Sequence, residues 1–84
     1  MLQVKFSRQA QKFLKKADSD TLNRILDKIS KLKKEPIGHD TKPVKGFKEK
    51  LYRVRVGDYR ILYEVDHDDN IIGIVKIDKR ERAY

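Results

Sequence analysis

The sequence predicts an α+β domain in which two N-terminal helices pack on one face of a four-stranded antiparallel sheet. Apolar residues recur every three or four positions in two stretches between residues 8 and 34, which is the period of a helix. They alternate with polar residues over 2–6 and 51–65, as in strands, and form a nearly continuous run over 71–77. The order is therefore strand, helix, helix, strand, strand, strand, in a single domain that spans residues 1–84.

The first half of the chain predicts one strand and two helices. Residues 2–6 form the first strand, and Ser7 is a suitable N-cap for a helix from residue 8 to about residue 16. The run Asp18-Ser19-Asp20 ends that helix and caps a second helix, from about residue 21 to residue 34. Pro36 then prevents the second helix from continuing.

The second half predicts a hairpin followed by a well-covered strand. Residues 35–50, which include two prolines and two glycines, are interpreted as one ordered loop. Residues 51–56 and 59–65 flank Gly57-Asp58, a two-residue loop that would pair Val56 with Tyr59 and Arg55 with Arg60. Residues 67–70 form a second turn, and the apolar residues 71–77 form the last strand.

Three arginines are expected on one face of this hairpin. Arg53 and Arg55 alternate with apolar residues, and Arg60 lies opposite Arg55. Like charges directly opposite each other destabilise a sheet. A guanidinium suits phosphate because its planar fork holds two oxygens and stays charged at any working pH. The pattern therefore favours a phosphate-binding surface over the alternative, a solvated outer face.

Composition excludes several functional classes. The net charge is +8 and the isoelectric point is near 9.8, so a polyanion is the expected partner. There is no cysteine, hence no disulfide and no thiolate metal site, and His39 and His67 do not form a credible metal pair. We expect neither a metal nor a cofactor. No apolar run has the length of a membrane span and no signal peptide is visible, so we expect a cytoplasmic protein without a membrane partner.

Two further basic groups are candidates for RNA or phosphate binding, namely the C-terminal run and the loop before the hairpin. The run contains Lys79, Arg80, Arg82 and Tyr84, and the loop contains Lys42, Lys45, Lys48 and Lys50. A tyrosine ring can stack on a splayed base, and lysines can clamp a phosphate backbone. The alternatives are a frayed tail and a flexible, solubilising loop.

A basic site without metal ligands can still cut RNA. The 2′-hydroxyl is an internal nucleophile, so an enzyme must place it in line with the phosphorus, remove one proton and supply another. It must also stabilise charge on the phosphoryl oxygens, which guanidiniums do well. The pKa of a guanidinium is too high for a good general base.

Several segments together resemble the RelE/ParE superfamily of bacterial and archaeal toxins. They are Phe6-Ser7 before two amphipathic helices, the loop Pro43-Val44-Lys45-Gly46, the hairpin of residues 52–63, and the closing Lys79-Arg80-Glu81-Arg82-Ala83-Tyr84. The resemblance implies a four-stranded antiparallel sheet and an antitoxin partner. For RelE-like members it also implies cleavage of mRNA in the ribosomal A site on the 30S subunit, with the 2′-hydroxyl as nucleophile.

The resemblance also implies roles for individual residues. Arg53 and Arg55 match two alternating basic residues on the second strand of RelE-like toxins, and Arg60 matches an arginine on the third strand. Arg80 and Tyr84 match an arginine and a tyrosine that follow the last strand. In RelE-like toxins the arginines bind phosphate, one of them being a candidate acid, and the tyrosine stacks on or orients the substrate base.

The sequence departs from the RelE-like pattern at the position of the general base. Some of these toxins carry lysines where Arg53 and Arg55 stand, and one of the lysines is assigned as the base. Arginine puts that assignment in doubt. Lys79, where several relatives carry a histidine, is the substitute candidate.

Three functions stay open at this point. The leading hypothesis is a toxin that acts as a ribosome-dependent mRNA endonuclease, because Arg80 and Tyr84 match residues of RNA chemistry. The first alternative is a ParE-like toxin that inhibits DNA gyrase without cutting RNA. The second alternative is a non-catalytic basic RNA-binding module.

Overall fold

The computed structural model describes residues 1–38, 40–44 and 51–79 of the chain, which form two helices and five strands. In chain order the elements are β1 (Gln3–Phe6), α1 (Arg8–Lys16), α2 (Ser19–Lys34), β2 (Lys42–Pro43), β3 (Leu51–Val56), β4 (Tyr59–Asp66) and β5 (Ile71–Lys79). The strands form one sheet in the order β1-β5-β4-β3-β2, and both helices pack on the same face of it. The predicted α+β class, with two N-terminal helices on a sheet, is confirmed.

The direction of β1 differs from the expectation of a purely antiparallel sheet. β3, β4 and β5 form an antiparallel meander, but β1 pairs with β5 in parallel, Gln3 opposite Ile71 and Phe6 opposite Ile74. The helices return the chain to the start of β1, where the Leu2 amide donates to the Lys33 carbonyl at 3.1 Å. The alternation of residues 2–6 indicates which side of β1 is buried, but it carries no information on direction relative to a distant strand.

The fifth strand, β2, lies inside the stretch that the sequence indicated as a loop. Lys42 pairs with Arg53 and Pro43 with Tyr52, and the amide of Val44 donates to the Leu51 carbonyl at 2.8 Å. Proline has no N–H for a ladder and occurs on edge strands, which is where β2 lies. The prolines and glycines of this stretch predicted a loop, although a two-residue edge strand is present within it. Residues 39 and 45–50 of this stretch lie outside the described residues.

The helices begin at local signals in the sequence. The Ser7 hydroxyl accepts a hydrogen bond from the Ala10 amide at 3.1 Å, so α1 begins at Arg8 as predicted. α2 begins at Ser19, slightly earlier than predicted, with Asp18 in the N-cap position. Both helices end in lysines, whose charges are favourable at the negative end of a helix dipole.

The core lies between the helices and the inner face of the sheet. Its buried residues come from α1, α2, β3, β4 and β5, together with Leu2 just before β1: Leu2, Ala10, Ile25, Ile29, Leu32, Val54, Ile61, Tyr63, Ile72, Ile74 and Ile77. Burying one such aliphatic side chain stabilises the fold by about 1.5–3 kcal/mol. Because the inner face uses the apolar positions of β3, β4 and β5, their polar positions are left to the opposite face.

The hairpin of β3 and β4 has the predicted register. Val56 pairs with Tyr59 and Arg55 with Arg60. Gly57 has a φ of 57°, which a glycine adopts without the penalty that a side chain would bring. A positive φ at the first of the two loop residues matches the II′ turn that suits the twist of a hairpin.

A β-bulge shifts the register in the middle of β5. Tyr63 pairs with Ile74 and Leu62 with Lys76, so Val75 is an extra residue on β5. Ile77 is fully buried, and Lys76 and Asp78 lie on the face opposite the helices. The bulge therefore places both charged residues outside the core, although Lys76 follows Ile74 by two positions.

Two side chains of the α1 region bond to β5 beyond the end of β1. The Ser7 hydroxyl donates to the Val75 carbonyl at 2.6 Å. The Gln9 amide donates to the Ile77 carbonyl at 2.7 Å and accepts from the Ile77 amide at 2.9 Å. These bonds hold the end of β5 against α1. No helix in the described residues is long and apolar enough to cross a membrane.

Candidate nucleic-acid interface

The sheet face opposite the helices, here called the outer face, is strongly charged. Its described residues on β2 to β5 are Lys42, Leu51, Arg53, Arg55, Arg60, Leu62, Glu64, Asp66, Ile71, Gly73, Lys76 and Asp78. Five of these twelve are Lys or Arg, which are cations at neutral pH, and three are carboxylates. The outer face therefore attracts anions.

The three hairpin arginines share this face, as the sequence predicted from alternation. Arg55 lies directly opposite Arg60, and Arg53 lies two residues before Arg55 on the same strand. Directly opposite side chains in an antiparallel pair have Cβ atoms about 4.5–5.5 Å apart, so two cations there repel each other. Some other group has to offset this repulsion.

Asp78 supplies a countercharge in the same row of the sheet. It lies opposite Arg60 on the next strand, and the two side chains form a bidentate ion pair. The distance from Arg60 Nε to Asp78 Oδ1 is 2.7 Å, and the distance from Arg60 Nη2 to Asp78 Oδ2 is 3.1 Å. The side chains are only 26% and 23% exposed, so water screens this pair less than a pair at the open surface.

The environment keeps Asp78 ionised. Hydrogen bonds from Arg60 lower the pKa of the Asp78 carboxyl below its ordinary value, although partial burial opposes the shift. The positive charges of Arg60 and Lys76 act in the same direction as the hydrogen bonds. Lys76 Nζ lies 3.7 Å from Asp78 Oδ2, so the carboxylate contacts two cations on the outer face.

A second row of the outer face contains Arg53. Its cross-strand neighbours are Lys42 on β2 and Leu62 on β4, and Leu62 in turn faces Lys76. Within residues 1–38, 40–44 and 51–79, Arg53 and Arg55 have no ion-pair partner. Within the same part of the chain, neither guanidinium donates a side-chain hydrogen bond.

Lys79 lies on the other side of the sheet from the three arginines. It is the last residue of β5 and pairs with Tyr59, whose ring meets that of Phe13 in α1 edge to face at 5.5 Å. The register therefore does not bring Lys79 together with Arg60, which pairs with the preceding residue. Its flexible four-carbon stem at the end of the strand is exposed.

Six residues that the sequence indicated as candidates for the site cannot be placed on this face. They lie outside the described residues, and they are Lys45, Lys48, Lys50, Arg80, Arg82 and Tyr84. Their roles stay predictions.

Asp78 is a residue of the outer face that the sequence analysis did not place next to the arginines. Counting outward from the turn after β4, where Asp66 pairs with Ile71, would set Arg60 opposite Ile77. The bulge at Val75 moves the register by one residue and sets Arg60 opposite Asp78 instead. The signal in the sequence is the acidic residue directly after Ile77, because the Arg55–Arg60 pair needs a countercharge.

A buried tyrosine connects the loop before β2 to the core beneath the site. The Tyr63 hydroxyl donates to the Pro36 carbonyl at 2.6 Å and lies 3.1 Å from the Thr41 hydroxyl. Burial raises the pKa of Tyr63 above its ordinary value, so the hydroxyl keeps its proton. Because Thr41 directly precedes β2, this anchor fixes the edge strand that carries Lys42 next to Arg53.

A comparison with protein families identifies the relatives of this chain. The family model described as the ParE toxin of type II toxin–antitoxin systems, parDE, matches residues 4–84. The chain belongs to this toxin family. A curated relative from Methanocaldococcus jannaschii, named as a toxin RelE1, is 37% identical over 83 residues, which are 96% of this chain and 92% of the relative.

Solved structures of toxins have the same fold. The archaeal RelE in its complex with RelB from Pyrococcus horikoshii OT3 is 34% identical, with a TM-score of 0.84 and coverage of 98% of both chains. The isolated E. coli RelE toxin has the same TM-score of 0.84 at 20% identity, over 99% of this chain and 88% of that chain, a likeness of fold. The resemblance to the RelE/ParE superfamily is confirmed.

Proposed function

We propose that this toxin is a metal-independent endoribonuclease that cleaves mRNA in the ribosomal A site and so inhibits translation. The observation that carries the proposal is the set of three arginines on the outer face, Arg53, Arg55 and Arg60, on two adjacent strands. The identity of 37% with a toxin named RelE1 supports the same branch of the superfamily. Ribosomes and messages lie in the cytoplasm, which is the proposed location.

The reaction follows from the chemistry of RNA. The 2′-oxygen attacks the adjacent phosphorus, the bond from phosphorus to the 5′-oxygen breaks, and the products are a 2′,3′-cyclic phosphate and a 5′-hydroxyl. One group takes the proton of the 2′-hydroxyl and another gives a proton to the departing 5′-oxygen. The protein's part is to align these atoms and to stabilise the charge on the phosphoryl oxygens.

The described arginines divide this work. Arg53 and Arg55 bind RNA phosphates, since neither has an ion-pair partner in the described residues and Arg55 is exposed. Arg60 is held more rigidly, by its bidentate pair with Asp78, and stabilises charge at the reacting phosphate. A fixed donor costs no reorganisation at the moment of reaction.

Residues of the C-terminal run and the loop complete the proposal. Lys79 is the proposed acceptor of the 2′-hydroxyl proton; it is the last residue of β5, and its long side chain is flexible. Arg80 is the proposed acid. Tyr84 stacks on or orients a base. Lys45, Lys48 and Arg82 add contacts to the phosphate backbone. For these residues the support is the resemblance and the residue type.

A defined message in a reconstituted translation reaction tests the function. Primer extension should show breaks that need both the protein and ribosomes positioned on the message. The upstream fragments should end in a 2′,3′-cyclic phosphate, and the downstream fragments in a 5′-hydroxyl. An intact message would refute the proposal, and a 5′-phosphate with a free 3′-hydroxyl would contradict attack by the 2′-oxygen.

Arginine variants with a matched control test the site. Arg60→Ala should reduce the cleavage rate by about 10²-fold, as the loss of a charge-stabilising donor does. Arg8→Ala removes the same side chain from the start of α1, on the other side of the sheet, and should leave cleavage unchanged. An equal loss in both variants would assign the effect to net charge, and the outer face would not be the site.

The proposed partner is an antitoxin. The solved structure at 34% identity is a complex of RelE with RelB, and a surface with a net charge of +8 favours an acidic or amphipathic partner. Co-expression with a neighbouring small reading frame should restore growth, and its product should co-purify with the toxin. A protein that is harmless when expressed alone would contradict this assignment.

A second candidate function is inhibition of DNA gyrase. It is favoured by the family model, whose description names ParE. A supercoiling assay with purified gyrase separates the two functions. Inhibition of gyrase together with an intact message in the translation reaction would make gyrase the target.

A further inference from the structure

The ion pair between Arg60 and Asp78 presents a chemical puzzle. A surface that binds phosphate gains from every positive charge, yet Asp78 places a carboxylate next to Arg60. The carboxylate occupies two of the five N–H donors of the guanidinium. It also repels an approaching phosphate. If the outer face served only to attract RNA, an uncharged residue at this position would serve better.

The pair does, however, fix the plane of the guanidinium. Two parallel hydrogen bonds, from Nε and Nη2 to the two carboxylate oxygens, leave the group little freedom to rotate. The Asp78 backbone is itself held, because the preceding residue, Ile77, is fully buried and its amide and carbonyl bond to Gln9. The sheet therefore fixes the position of Asp78, and Asp78 in turn fixes the orientation of the Arg60 guanidinium.

Arg55 makes this restraint necessary. It lies directly opposite Arg60 and would push an unrestrained guanidinium away from the row. Asp78 lies on the other side of Arg60 and draws it back toward β5. Lys76 Nζ lies 3.7 Å from Asp78 Oδ2. Since Lys76 is on β5 like Asp78, it attracts the carboxylate from the side of the pair that faces away from Arg55.

We propose that Asp78 is a positioning residue of the toxin, which aligns Arg60 with the reacting phosphate at the expense of affinity for RNA. This role rests on the proposed function. In this role Asp78 orients the Arg60 guanidinium, which stabilises the transition state, while Arg53 and Arg55 bind the RNA. The distinguishing consequence is a separation of binding from reaction rate.

The test is a kinetic comparison of Asp78→Asn with the wild-type protein on programmed ribosomes. Asparagine has nearly the same size but no charge. Its kcat should fall by about tenfold to a hundredfold, since a small misplacement of a reacting group has effects of this size. Its KM should stay equal or fall, because a repulsive charge has been removed. Thermal unfolding of each variant verifies that it is folded at the assay temperature.

Two further variants separate position from charge. Asp78→Glu keeps the carboxylate and should retain most of the wild-type kcat. Asp27→Asn removes one negative charge from an exposed position of α2, on the other side of the sheet, and should leave kcat unchanged. The NMR signal of the Arg60 Nε–H should be shifted by its acceptor in the wild type and in Asp27→Asn, and should lose that shift in Asp78→Asn.

The outcomes are distinct. A lower kcat without a higher KM in Asp78→Asn, with recovery in Asp78→Glu, supports the role. An unchanged kcat in Asp78→Asn overturns the positioning role of Asp78. If the wild-type protein still cleaves the message, the proposed function is not affected by that result. A higher KM at unchanged kcat also overturns the positioning role, because Asp78 would then act in binding. A wild-type protein that leaves the message intact overturns the proposed function and this role with it.

Discussion

Removal of the Tyr63 hydroxyl tests whether the loop before β2 is anchored from within the core. Tyr63 is fully buried, and its hydroxyl donates to the Pro36 carbonyl at 2.6 Å. The same hydroxyl lies 3.1 Å from the Thr41 hydroxyl, which also accepts from the Gly38 amide at 3.0 Å. Tyr63→Phe deletes one oxygen atom and keeps the ring, so the change in free energy reports the hydrogen bonds.

The magnitude follows from what each partner loses. A neutral hydrogen bond contributes about 0.5–1.5 kcal/mol net, and a buried group that loses its partner costs about 1–3 kcal/mol. Thr41 keeps its bond to Gly38, whereas the Pro36 carbonyl loses the Tyr63 donor. We therefore expect the free energy of unfolding to fall by about 2 kcal/mol. At 4–8 °C per kcal/mol for a domain of this size, the melting temperature falls by roughly 8–16 °C.

Tyr52→Phe is the matched control for this measurement. Tyr52 packs against Tyr63 with ring centroids 5.8 Å apart, but its hydroxyl has no hydrogen bond within the described residues. It should change the stability by no more than about 0.5 kcal/mol. Differential scanning calorimetry of the three proteins measures the effect. A melting temperature of Tyr63→Phe within about 2 °C of the wild type, or an equal fall in Tyr52→Phe, would refute the anchor.

Three further results are expected. Because Arg60 lowers the folded-state pKa of Asp78, their pair stabilises the fold above the ordinary carboxyl pKa of about 3.9, and this contribution is lost as the pH falls through the lower folded-state pKa. The melting temperature of Asp78→Asn should therefore lie below that of the wild type at pH 7 and converge with it in acid; a gap that does not change with pH would contradict this. Gly57→Ala should cost about 1–2 kcal/mol in urea unfolding, because φ is 57°, although the added Cβ would meet the Arg24 side chain only at an ordinary contact distance of 3.6 Å; an unchanged midpoint would show that the turn relaxes. Tyr84→Phe should retain more activity than Tyr84→Ala in the cleavage assay, because stacking needs the ring and not the hydroxyl, and equal losses would assign the role to the hydroxyl.

The parts of the fold that the sequence predicted are those with local causes. The register of Arg55 and Arg60 followed from a two-residue loop with glycine in the first position, which leaves little choice of pairing. The start of α1 followed from the Ser7 cap. In both cases the residues that determine the structure lie within a few positions of it.

The parts that the sequence did not predict depend on distant contacts. The parallel pairing of β1 with β5 joins residues at opposite ends of the chain, and neither strand alone indicates its direction. The position of Asp78 in the site depends on one extra residue, Val75, whose apolar side chain looks like a regular member of the strand. Alternation in a sequence shows the two faces of a strand, but it does not show where a bulge changes the count.

The bonds from Gln9 to Ile77 have a consequence for association with other chains. An unpaired strand edge is a template on which another strand can add, either from a partner or from a second copy. β1 is too short to cover the far half of β5, and the Gln9 amide fills the place of a neighbouring peptide group there. A strand that paired with β5 at this point would have to displace the side chain of a helix. Strand addition to this sheet is therefore directed to its two outermost strands, β1 and β2.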